Sequence, residues 1–155
     1  MPARKGDAAP PIALPDAPGH VVDLGSVFGN RVVVLLFFPL AFSSVCTEQL
    51  CTFRDDWEAW LELGCDVYGI SVDSPFVTRK FRELENLPFP ILSDFNKTVS
   101  KSYSALQRDL LGLKGVSKRS AFVIDRSGKI VYRWVSNDAS KQVKFDAVRR
   151  AVRAC

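Results

Sequence analysis

The chain is poor in histidine: His20 is the one histidine in 155 residues. Catalysis by a Cys–His or similar dyad has little to draw on, because its base would have to be this residue in a turn-like "APGH". Cysteine is scarce too, with only Cys46, Cys51, Cys65 and Cys155. They show neither the clustered Cys/His spacing of a zinc site nor the Cys-x-x-Cys of a disulfide exchanger. No metal and no cofactor is therefore expected. No stretch approaches the ~20 apolar residues that span a membrane. The opening "MPARKGDAAPPIALP" has positive charges but no apolar run behind them, so it does not read as a secretory signal. A cytoplasmic protein without a membrane partner is the expectation. In that setting four cysteines point to chemistry or packing rather than to a disulfide framework. Repeats and low-complexity segments are absent as well.

What is present is ordinary globular material, 47% hydrophobic and 25% charged. The length suits one domain over residues 1–155 with a real core. The net charge of +4 sits in the tail "KQVKFDAVRRAVRAC". Lys141, Lys144, Arg149, Arg150 and Arg153 stand there against Asp146, leaving the rest of the chain neutral. Phe145, Val148 and Val152 give that tail the apolar stripe of a helix. Cations near a helix C-terminus oppose its negative dipole end. That reading is preferred to a nucleic-acid or acidic-partner surface, so no nucleic-acid partner is expected.

The pattern along the chain alternates. "APGH" joins two short extended pieces. "RVVVLLFF", from Arg31 to Phe38, is a near-continuous apolar run suited to a strand buried on both faces. Leu50, Phe53, Trp57 and Trp60/Leu61 then mark a helix that Gly64 closes. "CDVYGISV" is a second buried strand. Ser74 and Pro75 open another helix, as N-cap and first helical residue. Its expected stripe is Val77, Phe81 and Leu84. "FPILSD" reads as a strand and "NKTVSKSYSAL" as a short helix. "SAFVIDRSGKIVYRWV" reads as a hairpin turning at Gly128, and the basic helix comes last. Strands alternating with helices predict an α/β protein with a central mixed β-sheet flanked by helices. The order is that of a thioredoxin-like fold with an N-terminal β extension and an insertion.

"FFPLAFSSVCTEQLC", residues 37–51, carries the chemistry. Cys46 falls where a buried strand becomes a helix. Ser43 or Ser44 is placed to cap that helix, and Glu48 is expected in its first turn. A thiol in a first turn meets unsatisfied N–H groups and the positive dipole end, and both favour the nucleophilic thiolate. With a single remote histidine, activation by helix and arginine is favoured over a general base. The bland alternative is a buried, inert cysteine. Cys51 changes the balance. Five residues along a helix give a rise of about 7.5 Å and a rotation of about 140°. A disulfide needs Cα atoms within about 7 Å and facing side chains. The pair cannot bond inside one intact helix: either it never bonds, or the helix start unravels.

"P-L-A-F-S-S-V-C" resembles the signature of the peroxiredoxin family, with Pro39, Ser43 and Cys46 at the matching positions. "GDAAPPIALPDAPGHVVDL", "GISVDSP", "FPILSD" and "RSAFVID" extend the resemblance over nearly the whole chain. "LAFSSVC" looks like the alkyl hydroperoxide reductase E-like group. "CTEQLC" looks like the bacterioferritin comigratory protein, or peroxiredoxin Q, group. The resemblance implies a thiol-dependent peroxidase acting on hydrogen peroxide and organic hydroperoxides. By it, Cys46 is the peroxidatic thiolate that becomes a sulfenic acid, and Pro39 shields it. The Ser43 hydroxyl, which many members carry as Thr, holds the peroxide. Arg119 supports the thiolate and polarises the peroxide. Cys51 resolves the sulfenic acid as an intramolecular disulfide, recycled by thioredoxin or a similar thiol reductant. The protein works as a monomer or homodimer. The alternatives stay open: a one-cysteine enzyme resolved by an external thiol, a thioredoxin-like oxidoreductase, or a redox-sensing binding protein. Residue by residue, Pro39 could only end a strand, Ser43 only cap a helix, and Arg119 only pair with Asp125. Arg126 and Arg133 compete with Arg119 for its role. Cys65 is expected in packing and Cys155 as an exposed end.

Overall fold

The strand Val32–Phe37 (β3) is buried along its whole length because it lies at the centre of a five-stranded sheet covered on both faces. The computed structural model describes residues 3–155. Before β3 come two short antiparallel strands, Ala13–Ala17 (β1) and His20–Asp23 (β2), joined by the expected turn. After it come the helices Ser44–Asp55 (α1) and Trp57–Glu62 (α2), then strand Cys65–Ser71 (β4) and helix Pro75–Glu85 (α3). Strand Ile91–Ser93 (β5), helix Thr98–Ser102 (α4) and a separate hairpin, Leu106–Leu110 (β6) with Leu113–Ser117 (β7), follow. Strands Ser120–Ile124 (β8) and Ile130–Val135 (β9) and helix Phe145–Arg153 (α5) complete the chain.

The central sheet runs β5-β4-β3-β8-β9. β4 is parallel to β3 and β5 is parallel to β4, while β8 is antiparallel to β3 and β9 to β8. The alternation of side chains along β3 divides the core. Val32, Val34 and Leu36 join Leu50, Phe53, Trp60, Phe81 and Val148 from the helices on one face. Val33, Leu35 and Phe37 join Ile12, Leu24, Val99, Tyr103 and Phe122 on the other. This is the mixed sheet flanked by helices, with its N-terminal β extension, that the alternating pattern predicts.

The structure departs from the sequence reading at four places. The long helix after Cys46 leaves helical geometry at Asp56 (φ −99°, ψ 17°) and restarts as α2, with Trp60 stacked on Phe53 at 4.7 Å and Leu61 exposed. In α3 the inward residues are Thr78 and Phe81, while Leu84 faces solvent. That helical face runs on to Glu85, i+4 from Phe81. The hairpin β6–β7 has no counterpart in the sequence pattern: its tip is Leu111-Gly112, both at positive φ (52° and 88°), without the Asn-Gly that signals such a turn. Finally, α1 has no acidic residue in its first turn, so Glu48 sits beyond the reach expected of it. Ser74 does cap α3, accepting a hydrogen bond from the Val77 N–H, and Pro75 occupies its first turn.

Candidate active site

Four connections meet at one end of the central sheet. Parallel pairing sets Phe37 of β3 beside Ile70 of β4, and antiparallel pairing sets it beside Ser120 of β8. The segment after β3, the segment after β4 and the link before β8 therefore emerge together. Val135 of β9 pairs with Ser120, which brings the segment after β9 to the same place. The sheet register thus joins residues that lie far apart in sequence.

The segment after β3 carries Pro39, which is buried, and Ser43, which is exposed. Phe42 between them adopts φ 67° and sets its ring edge-on to Phe81 at 5.0 Å. Asp73, after β4, holds this segment: its Oδ2 accepts the Ala41 N–H at 2.7 Å and the Ser71 hydroxyl at 2.7 Å. Ser43 is the N-cap residue of α1 by position, but it does not cap with its side chain. Its hydroxyl donates instead to the Leu40 carbonyl at 2.8 Å. The first-turn N–H groups of α1, the Cys46 N–H included, are left without a side-chain cap and are donors for an incoming oxygen.

Cys46 is fully buried in α1, and Nη2 of Arg119 lies 2.9 Å from its sulfur. Arg119 comes from the link between β7 and β8 and is 2% exposed. Its Nε donates to the Ala139 carbonyl at 3.0 Å, which fixes the guanidinium plane. Its Nη1 is buried without a partner among the described residues. Burying a cation costs several kcal/mol unless it is paired. No carboxylate of the described residues bonds Arg119, and the Cys46 sulfur is the side-chain group that its guanidinium meets. The competing readings do not hold: Asp125 bonds Ser127 and Lys129, Arg126 is exposed, and Arg133 lies over the Phe122 ring at 5.8 Å. His20 bonds Asp16 in the β1–β2 hairpin, not Cys46.

Cys51 shares α1 with Cys46, and both thiols are free. An intact helix, with a rise of about 7.5 Å and a rotation of about 140° between them, keeps the two out of bonding register. Cys51 is half-buried and donates to Glu85 Oε2 at 3.4 Å. Burial, and then that hydrogen bond, raise its pKa. Cys65 is packed in the core at the start of β4, where burial pushes its thiol up to about 11. Cys155 is exposed. Among the described residues no group of His, Cys, Asp and Glu could hold a metal ion.

Three supporting residues have no local sequence signal. Asp73 holds the segment before α1. Ala139 supplies the carbonyl that orients Arg119. Gln49, buried in α1, accepts the Val143 N–H at 3.1 Å and so ties α1 to the segment that carries Ala139. "CTEQLC" shows Gln49 on the helix, but its partner lies 94 residues away.

Residues 5–133 match the AhpC/TSA family. This chain belongs to that family. A putative peroxiredoxin of Mycobacterium tuberculosis is 42% identical over 129 residues, which cover 81% of each chain. Peroxiredoxin Bcp of Escherichia coli is 38% identical over 132 residues, covering 83% of each. Among solved structures, peroxidoxin BcpB from Mycobacterium tuberculosis superposes with a TM-score of 0.86 at 31% identity, over 98% of this chain and 97% of that one. The fold is thioredoxin-like and the chain is a peroxiredoxin, a thiol-dependent peroxidase. Among the described residues no helix is long and apolar enough to cross a membrane.

Proposed function

We propose that this peroxiredoxin reduces hydrogen peroxide and organic hydroperoxides at Cys46 and resolves the product through Cys51, with residues 1–155 working as one cytoplasmic domain. The thiolate attacks the terminal peroxide oxygen. The O–O bond breaks, the leaving oxygen takes a proton as water or alcohol, and Cys46 becomes a sulfenic acid. Pro39 walls the pocket and the Ser43 hydroxyl, with the first-turn N–H groups, holds the peroxide. Arg119 stabilises charge as it moves onto the leaving oxygen. Cys51 then displaces that hydroxyl as water, forming the intramolecular disulfide. Thioredoxin or a similar dithiol returns both residues to thiols, and the enzyme is a monomer or homodimer.

One observation carries this reading. A buried guanidinium lies 2.9 Å from a thiol in the first turn of a helix, and among the described residues it has no carboxylate partner and a second nitrogen without one. A packing cysteine requires neither. The test is Cys46→Ser, assayed by consumption of added peroxide with a thiol reductant present. A serine hydroxyl stays protonated at neutral pH, so turnover should vanish. Substantial residual turnover would remove Cys46 from the role. The one-cysteine alternative is read in wild type by mass spectrometry after one equivalent of peroxide. It predicts no Cys46–Cys51 disulfide and a Cys46 adduct with the external thiol.

A further inference from the structure

Cys51 and Arg54 lie three residues apart on α1 and so share one face. Both reach the last residue of α3. The Cys51 thiol donates to the Glu85 carboxylate at 3.4 Å. Arg54 Nη1 donates to the Glu85 main-chain carbonyl at 2.6 Å and lies 3.9 Å from Oε2 of the same residue. The carbonyl is one of those at a helix C-terminus that have no intrahelical partner. Arg54 therefore caps α3, and its charge suits the negative dipole end there. A carboxylate in that position is disfavoured by the same dipole, and Arg54 offsets it. The inward face of α3, running through Thr78 and Phe81, delivers Glu85 to this spot.

We propose that Glu85 is a positioning residue for the resolving step: it holds the Cys51 thiol against α3 and, with Arg54, clasps α1 shut until Cys46 has been oxidised. This rests on the reading of Cys51 as the resolving cysteine. The clasp acts in two ways. A thiol donating to a carboxylate is kept protonated, and the thiol is a poor nucleophile. The paired contacts also tether the part of α1 that must unwind for Cys51 to reach Cys46. When the helix opens, Cys51 leaves Glu85, and its sulfur attacks the Cys46 sulfenic sulfur. The S–O bond breaks, the S–S bond forms, and the hydroxyl leaves with the thiol proton as water. Until then a second peroxide can oxidise the sulfenic acid to sulfinic acid, losing its own oxygen to the sulfur and leaving as water or alcohol. The strength of the clasp thus sets how much peroxide the enzyme survives.

The full chain with Glu85→Gln tests this, because the amide keeps the shape and removes the charge. Reduced protein is mixed with one equivalent of hydrogen peroxide, quenched over time and read by mass spectrometry. The ratio of the disulfide rate to the rate of first oxidation should rise about fivefold, the scale of one typical net hydrogen bond. Under excess peroxide the sulfinic fraction should fall in step. Arg54→Gln loosens the tether but leaves Glu85 on the thiol and removes a cation that favours the thiolate, so it should raise the ratio by less than Glu85→Gln does. Alkylation of Cys51 in the reduced protein, followed by pH, gives a reading that a merely structural role would not move. The charged groups facing Cys51 are Glu85, Arg54 and Asp55. Glu85→Gln should shift the alkylation midpoint to lower pH. If wild type forms the Cys46–Cys51 disulfide and Glu85→Gln forms it no faster, the clasp is overturned while Cys51 stands as resolver. If wild type forms no such disulfide, the resolving role and the clasp fall together.

Discussion

At the residue scale, burial decides what each thiol can do. Cys65 donates to the Trp60 carbonyl at 3.7 Å, and burial is the main cause of its high pKa. Its folded value of about 11 stands above the ordinary 9.0, so the neutral thiol is the form that the fold prefers. Below about pH 9 both states are protonated and stability does not change with pH on this account. Between 9 and 11 the unfolded chain loses the proton while the folded one keeps it, and stability falls by about 1.4 kcal/mol per pH unit. Cys65→Ala should therefore unfold at a lower temperature than wild type at pH 7, with the gap narrowing above pH 9. A gap constant through pH 11 would contradict this. Arg119 shows the opposite economy, a buried charge retained for what it touches. Arg119→Lys keeps the charge but loses the planar fork that bonds Ala139 and Cys46 together. Stopped-flow measurement of the first oxidation should show a loss of about tenfold for Lys and about a hundredfold for Arg119→Gln. Arg119 was legible in the sequence through "RSAFVID". Asp73, Ala139 and Glu85 were not, because each acts on a partner 20 to 34 residues away through sheet register and helix packing, not through a local pattern.

At the element scale, the legible parts are those with a local physical cause. An unbroken apolar run makes β3, Ser74-Pro75 starts α3, and Gly128 at φ 86° turns the β8–β9 hairpin. The β6–β7 hairpin escaped because "LQRDLLGLKGVS" is half-exposed and charged, and its turn residue is wrong for its backbone. Leu111 takes φ 52° with 96% of its surface in solvent. A γ-branched residue there bears the cost of the left-handed region and gains no burial. Leu111→Asn should add about 1 kcal/mol, which for a chain of this size raises Tm by about 2–4 °C. Calorimetry checks it, and an unchanged or lower Tm would overturn the reading of Leu111 as strained. The break at Asp56 was invisible for another reason. Its Oδ2 accepts Arg149 Nη2 at 2.8 Å, so α5 helps to hold the junction.

At the scale of the whole molecule, the fold separates two demands on one helix. On the proposed mechanism, the start of α1 holds Cys46 beside Arg119 until oxidation and opens afterwards so that Cys51 can reach it. Rigidity comes from the sheet end, where Asp73, Arg119 and the segment after β9 converge. Release draws on a helix start whose first N–H groups lack a side-chain cap, since opening there can cost far less than global unfolding. Cys51→Ser should leave the first oxidation rate unchanged, stall turnover with thioredoxin and let Cys46 advance to sulfinic acid under excess peroxide. Normal turnover, or peptide maps joining Cys46 to Cys65 or Cys155, would point to another resolver.

The stack of Trp60 on Phe53 couples an indole of α2 to the helix that opens in the proposed resolving step. Arg149 lies over the same indole at 5.2 Å from its ring. The environment of that chromophore is therefore set by α1 on one side and α5 on the other. Each cycle of oxidation and reduction that disturbs α1 should be written into the intrinsic emission of the protein, so its redox state can be followed by light alone, without a label or a coupled assay.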